Sequence, residues 1–191
     1  MIKKLLASGA AAGALVAGTV ALDAPAAHAR GIDYGGKVTA GTSLTVRRAP
    51  STHAKAVDSY RHGKVIGLGC WVPGASVGGN RTWYAMPSDG PGYGYVSAKY
   101  LKLTGKKPPA CTGNRAHGKA TTKVSLRTAP NTKDPRDGTL AKGDRITIVC
   151  KAVGQRIDGD DRWYLTTKDH WVSARYLKVT SGTPHWCRWP N

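Results

Sequence analysis

The sequence predicts an all-β protein: two copies of one small domain in tandem, each stapled by a disulfide, behind a cleaved leader. Three observations predict it. "YGYVSAKYLK" at Tyr93 to Lys102 returns as "DHWVSARYLK" at Asp169 to Lys178. Between clusters of turn residues, apolar and polar side chains alternate, and no longer segment shows the helical period. Four cysteines occupy two pairs of equivalent positions in the two copies.

The leader is read first. "MIKKLLASGAAAGALVAGTVALDAPAAHA" opens on Lys3 and Lys4, continues through an apolar run from Leu5 to Leu22, and ends on Ala27-His28-Ala29. A basic start, an apolar middle and a small-x-small ending make a secretory signal peptide, residues 1–29, with cleavage expected after Ala29. The run reaches the lower limit of about 18 residues for a membrane span. Its Ala and Gly content, and Asp23 and Pro25 behind it, favour cleavage over anchoring. The mature chain is therefore expected to be exported, to start at Arg30 and to carry no transmembrane segment.

Charge narrows the partners. The chain has 29 Lys and Arg against 11 Asp and Glu, a net charge of +18, and it contains neither Glu nor Phe. The cations are spread over both copies. An exported basic protein is expected to meet polyanions outside the cell, such as phosphate-bearing wall polymers or acidic polysaccharides. Ordinary salt limits such attraction to about 8 Å, so charge assists docking more than it selects a ligand. The alternative is that charge only maintains solubility. Nucleic-acid binding is a third, weaker reading, motivated by charge alone and disfavoured by export, so nucleic acid is not expected as a partner.

The repeat sets the domain boundaries. "LTVRRAPST" (Leu44 to Thr52) matches "VSLRTAPNT" (Val124 to Thr132), and Gly63, Cys70 and Trp83-Tyr84 match Gly143, Cys150 and Trp163-Tyr164. The first copy then holds extra residues around "PSDGPGYG", after which the closing motifs realign and Cys111 meets Cys187. Insertions at turn-rich segments are what surface loops tolerate. The domains are placed at 36–111 and 118–187, with 112–117 as linker. In each copy the strands are short: "LTV", "VSL" and "RITIV" alternate, "KVIGLGC" less cleanly, and Ala-Pro, Lys-Gly and Gly-Gly-Asn mark turns. That pattern suits a small barrel or sandwich. "SAKYLK" and "SARYLK" are the only segments that suggest a helical turn.

Cysteines in an exported chain invite disulfides, with three possible connectivities. The repeat favours Cys70–Cys111 and Cys150–Cys187, which give each copy the same staple; crossed pairing between copies is the alternative. Closed loops of about forty residues each contribute about 3–4 kcal/mol in the chain-entropy model, a large share for a small core.

Together these motifs resemble the bacterial SH3 (SH3b) family. The opening "LTVRRAPST" and "SLRTAPNT" correspond to the family's L-N-V-R-S-G-P-S-T; a Lys/Arg-x-Gly turn, Trp-Tyr, and a closing Gly-Trp-Val-Ser-x-x-Tyr-Leu follow, here "GYVSAKYL" and "HWVSARYL". The likeness covers Gly36 to Lys102 and Gly118 to Lys178. Arg48-Ala49 and Thr128-Ala129 replace the family's Ser-Gly, Tyr95 replaces its Trp, His170 replaces its Gly, and the cysteine pairs are additions. The resemblance implies SH3-like β-barrels and a non-catalytic binding module, often directed to peptidoglycan or its cross-bridge peptides.

Candidate site residues follow from chemistry. Tyr84, Tyr95, Tyr164 and Trp171 offer flat apolar faces with polar tips, suited to stacking on a glycan or peptide, or to filling a barrel that lacks Phe. Trp83, Trp163, Tyr100 and Tyr176 are expected in the core. Trp71, Trp186 and Trp189 lack aromatic counterparts and either serve function or cover an edge. Arg47 and Arg127, one step past a strand, suit either a paired grip on a carboxylate or phosphate or a tie to loop carbonyls.

Catalysis has little to rest on. Asp158, Asp160 and Asp161 bunch in "IDGDDRW", but a calcium loop needs a closing Glu, so a polar loop tip is expected. The histidines lack metal-ligand spacing. No nucleophile elbow or nucleotide-cradling loop appears. Neither cofactor nor metal is expected. The sequence thus points to a secreted or wall-associated, non-enzymatic binder of peptidoglycan or an associated anionic wall polymer. An exported protein partner, bound or inhibited, is the alternative.

Overall fold

The computed structural model describes residues 33–87, 94–113 and 115–188. The expected leader, its cleavage after Ala29, and Trp189 lie outside these residues. The described chain is almost entirely β, without an α-helix, and no helix in it is long and apolar enough to cross a membrane.

The first copy contributes β1 (Gly35–Val38), β2 (Ser43–Arg47), β3 (Ala56–Arg61), β4 (Val65–Gly67), β5 (Trp71–Val77), β6 (Asn80–Ala85), β7 (Tyr95–Ser97) and β8 (Leu101–Leu103). They form an antiparallel sheet β4-β1-β8 and a second sheet β3-β2-β7-β6-β5. The second copy contributes β9 (Ala116–Ala120), β10 (Val124–Arg127), β11 (Arg136–Leu140), β12 (Arg145–Ile157), β13 (Asp160–Thr166), β14 (Trp171–Ser173) and β15 (Leu177–Ser181). Its order β11-β10-β14-β13-β12-β9-β15 joins both of the first copy's sheets into one.

The join is the 13-residue strand β12, which runs where the first copy breaks into β4 and β5. Sequence explains the difference. Thr147 and Val149, β-branched, stand where the first copy has Gly67 and Gly69. Gly69 donates its N–H to the Ala85 carbonyl at 2.8 Å. A Cβ there would lie 2.7 Å from that same oxygen, so the chain passes closer than any other residue allows. Even β12 shifts register at this point, between Ile148 and Cys150.

Turn chemistry is conserved between the copies in geometry more than in letters. The β5–β6 hairpin turns on Gly78 and Gly79, the β12–β13 hairpin on Asp158 and Gly159, all four with positive φ. Two left-handed residues in a two-residue loop match the right-handed strand twist, and Asp is among the few side chains tolerated there. "SAKY" and "SARY" each make one 3-10 turn, Ala98–Tyr100 and Ala174–Tyr176. Ser97 and Ser173 cap them by accepting the Lys99 and Arg175 backbone N–H.

Both disulfides form, Cys70–Cys111 and Cys150–Cys187. Each pins the segment beyond the closing motif beside a strand: Ala110 bridges Trp71, and Trp186 bridges Lys151. Two of the unmatched tryptophans, Trp71 and Trp186, are thereby placed, since each staple carries one, on the strand in the first copy and on the returning segment in the second. Trp186 lies under the Lys151 ammonium, 5.0 Å from ring centre to Nζ. The segment expected as linker, 112–117, already includes the start of β9 at Ala116.

Each copy has its own small core, Val38, Leu44, Val46, Ile66, Tyr84 and Val96 in one, Val124, Ile148, Tyr164, Val172 and Leu177 in the other. A third cluster belongs to both: Val72, Trp83, Tyr95 and Cys70–Cys111 meet Ala129, Ala152, Trp163, Leu165, Trp171 and Cys150–Cys187. The largest rings are spent there. Gly74 and Gly154 make that packing possible, for a Cβ on either would lie 2.2–2.3 Å from the Pro50 or Pro130 carbonyl and 2.5–2.6 Å from the Trp83 or Trp163 indole.

Candidate functional site

The expected stacking residues are buried. Tyr84, Tyr95, Tyr164 and Trp171 are 4%, 2%, 6% and 0% exposed, so their ring faces belong to the core and are not open to a glycan. Tyr84 and Tyr164 point into separate cores, while Tyr95 and Trp171 join the shared one. Burial pushes the hydroxyls of Tyr84, Tyr95 and Tyr164 above the ordinary tyrosine range, most strongly at Tyr95. All four serve packing, the second of the two roles their chemistry allows.

Tyr100 was expected in the core and is instead exposed, while Tyr176 is half-buried. The reason lies in the 3-10 turn, which swings its third residue outward after the buried Ser97 or Ser173. Tyr176 donates its hydroxyl to Asp158 at 3.2 Å, and Arg175 approaches the same carboxylate at 4.0 Å. In the first copy Gly78 stands at the position of Asp158, and no such latch exists.

Arg47 and Arg127 tie loops. Arg47 donates to the Ala54 carbonyl at 2.8 Å; Arg127 donates to the carbonyls of Thr132 and Asp134 at 2.9 and 3.0 Å. Each guanidinium bridges its strand to the far end of the Ala-Pro loop, holding that loop in a fixed shape. The acidic tip is likewise self-contained: Asp160 accepts Arg162 Nε and Nη2 at 2.9 and 2.8 Å, and these bonds hold its carboxyl below the usual range. Among the described residues no group of three or more His, Cys, Asp or Glu is placed to hold a metal.

A shallow groove of ≈ 200 Å³ opens on the first copy. Ser43, Thr45 and Thr52 supply hydroxyls, and Arg47 and Tyr100 flank them. An exposed ring beside several hydroxyls suits a polyhydroxylated or peptide ligand. Periodicity alone could not single out Tyr100, because its motif is read as strand or helix equally well.

Between the copies runs a buried polar network that no local motif announces. Ser51 Oγ and Asn131 Nδ2 both donate to Asp134 Oδ2 at 2.6 Å, Asn131 also reaches Ser51 Oγ at 3.0 Å, and His53 Nδ1 lies 3.4 Å from the same carboxylate. Arg81 adds a bond to the Thr128 carbonyl at 3.3 Å, and Trp171 one to the Pro73 carbonyl at 2.9 Å. Ser51 and Asn131 are repeat equivalents, so the tips of the two Ala-Pro loops meet face to face.

No family model matches the chain, and no curated protein does. Among solved structures the chain is similar to one described as endolysin LysPBC5 CBD, at 8% identity and a TM-score of 0.30, covering 77% of this chain and 93% of that one. So slight a likeness carries neither fold nor function across.

Proposed function

We propose that the protein is an exported, non-catalytic module that attaches to the cell envelope, binding peptidoglycan or an anionic polymer associated with it. In this reading residues 36–111 and 118–187 are two SH3b-like barrels behind a signal peptide cleaved after Ala29. The observation that carries it is the state of the cations. Among the described residues, the ion pairs made by Lys or Arg are Arg162–Asp160 and Arg175–Asp158, both in the second copy. Exposed cations on both copies, among them Arg48, Lys55, Lys64, Lys102, Lys133 and Lys142, therefore meet solvent without a carboxylate partner in those residues. A surface of that kind holds polyanions by releasing their counterions. Two formed disulfides suit an oxidising compartment outside the cytoplasm.

The test is a pull-down of the mature protein on insoluble wall sacculi, with and without their anionic polymers, across a salt titration. Retention that depends on the polymers and falls with salt supports electrostatic attachment. Retention on stripped sacculi at high salt supports recognition of peptidoglycan itself, with the Tyr100 groove as its seat. Absence of retention on either overturns the reading.

A further inference from the structure

Where the two Ala-Pro loops meet they leave a recess of ≈ 380 Å³ that neither copy forms alone. Its volume lies within the range of ~300–1,000 Å³ for small-ligand sites. One wall is the segment after β2, with Arg48, His53 and Lys55; the other comes from the second copy, with Lys133 and Gln155. We infer that this recess binds phosphate, carried in the phosphodiester backbone of an anionic envelope polymer. The inference rests on the envelope-binding reading above and gives it a ligand class and a place.

Charge is the first argument. Arg48, Lys55 and Lys133 are all exposed, and none forms an ion pair with a described carboxylate. The nearby acid, Asp134, does not line the recess. It is buried, and its Oδ2 is already taken by Ser51, Asn131 and His53. The walls therefore present positive charge while the negative charge behind them is covered. Three cations around one recess exceed what a single carboxylate requires. Successive phosphodiesters keep one charge each at every physiological pH and accept a guanidinium fork with two oxygens.

Rigidity is the second argument. Arg127 and the Ser51–Asn131–Asp134 bonds fix both loops, and Asn131 Oδ1 accepts the backbone N–H of Lys133 and of Asp134 at 2.8 Å each. Gln155 Oε1 accepts both the N–H and the hydroxyl of Thr132, which tethers this lining residue to the second copy's loop. With the loop backbones already fixed, only the cationic side chains themselves must order when an anion arrives.

The test compares two variants of equal charge. One is Arg48→Gln/Lys55→Gln/Lys133→Gln; the other, Lys102→Gln/Lys119→Gln/Lys178→Gln, removes three exposed cations from β8, β9 and β15. Binding to soluble poly(glycerol phosphate), to poly(glutamic acid) and to stripped sacculi is measured at several salt concentrations, after thermal melts confirm folding. The recess variant is expected to lose about tenfold or more in affinity for poly(glycerol phosphate), about 1.4 kcal/mol, and the control about threefold or less. Wild type is expected to prefer the phosphate polymer over the carboxylate one. Equal losses in the two variants, or equal binding of the two polymers, would overturn the recess and leave diffuse charge. Wild type that binds stripped sacculi but not poly(glycerol phosphate) keeps the envelope reading and sinks this inference. Wild type that binds none of the three sinks both.

Discussion

Trp171 of the second copy donates its indole N–H to the carbonyl of Pro73 in the first, at 2.9 Å, from a position with no solvent exposure. Its repeat equivalent, Tyr95, packs in the same cluster. The two copies thus share their largest side chains and act as one body. Two linked modules gain avidity through a linker of suitable reach; here the geometry of joint engagement is set by the shared core instead.

Removing that ring should therefore weaken both copies at once. Trp171→Ala is expected to cost about 3–5 kcal/mol. Chemical denaturation should show one transition, moved as a whole to lower denaturant. Two separate transitions, with only the second copy affected, would contradict the shared core.

Gly74 and Gly154 should tolerate no side chain. Gly74→Ala or Gly154→Ala forces Cβ against a loop carbonyl and an indole, and a loss of about 2 kcal/mol or more is expected. Gly41→Ala, where nothing lies within 4 Å, is the control and should stay within about 0.5 kcal/mol of wild type. Comparing the thermal midpoints of the three variants decides it.

The polar junction predicts a cost out of proportion to its size. Ser51→Ala removes one donor to a buried carboxylate, and about 1–3 kcal/mol should be lost. Asp134→Ala with Ser51→Ala should cost less than the sum of the single changes, because the second removes the group the first leaves unpaired. A double-mutant cycle by urea denaturation measures the coupling; additivity would refute it.

Asp160 gives a pH signature. Its bonds to Arg162 lower the folded-state pKa, so their contribution is present in full above the ordinary carboxylate range. It is lost as pH falls through the folded value. The Arg162 side of the pair is half exposed and screened by water, so the gap between wild type and Asp160→Asn should be under about 1 kcal/mol at pH 7. Thermal melts should show that gap closing in strong acid; a gap that widens there would reverse the sign.

Each disulfide closes a loop, with sequence separations of 41 and 37, and should contribute about 3–4 kcal/mol. Cys70→Ala/Cys111→Ala should also free the segment at Ala110 from its bridge to Trp71. Hydrogen exchange at the Trp71 amide, which donates to the Pro109 carbonyl at 2.9 Å, should accelerate beyond the change at β9.

The sequence by itself determined the β architecture and the repeat, and favoured the cysteine pairing that the structure then decided over the crossed one. Those are local or periodic properties: alternation in "LTV" and "VSL", Gly-rich hairpins, and cysteines at matching positions. It could not decide which face of a strand was inside. An aromatic such as Tyr95 fits a binding groove and a core equally well, because both reward a large apolar ring. Only the tertiary structure decided, by placing the two copies so that Tyr95 and Trp171 fill their common interior while Tyr100 is left at the surface. The meeting of Ser51, Asn131 and Asp134 was hidden for the same reason. Hydrogen bonds between residues some eighty positions apart leave no pattern along the chain; they arise when folded surfaces dock.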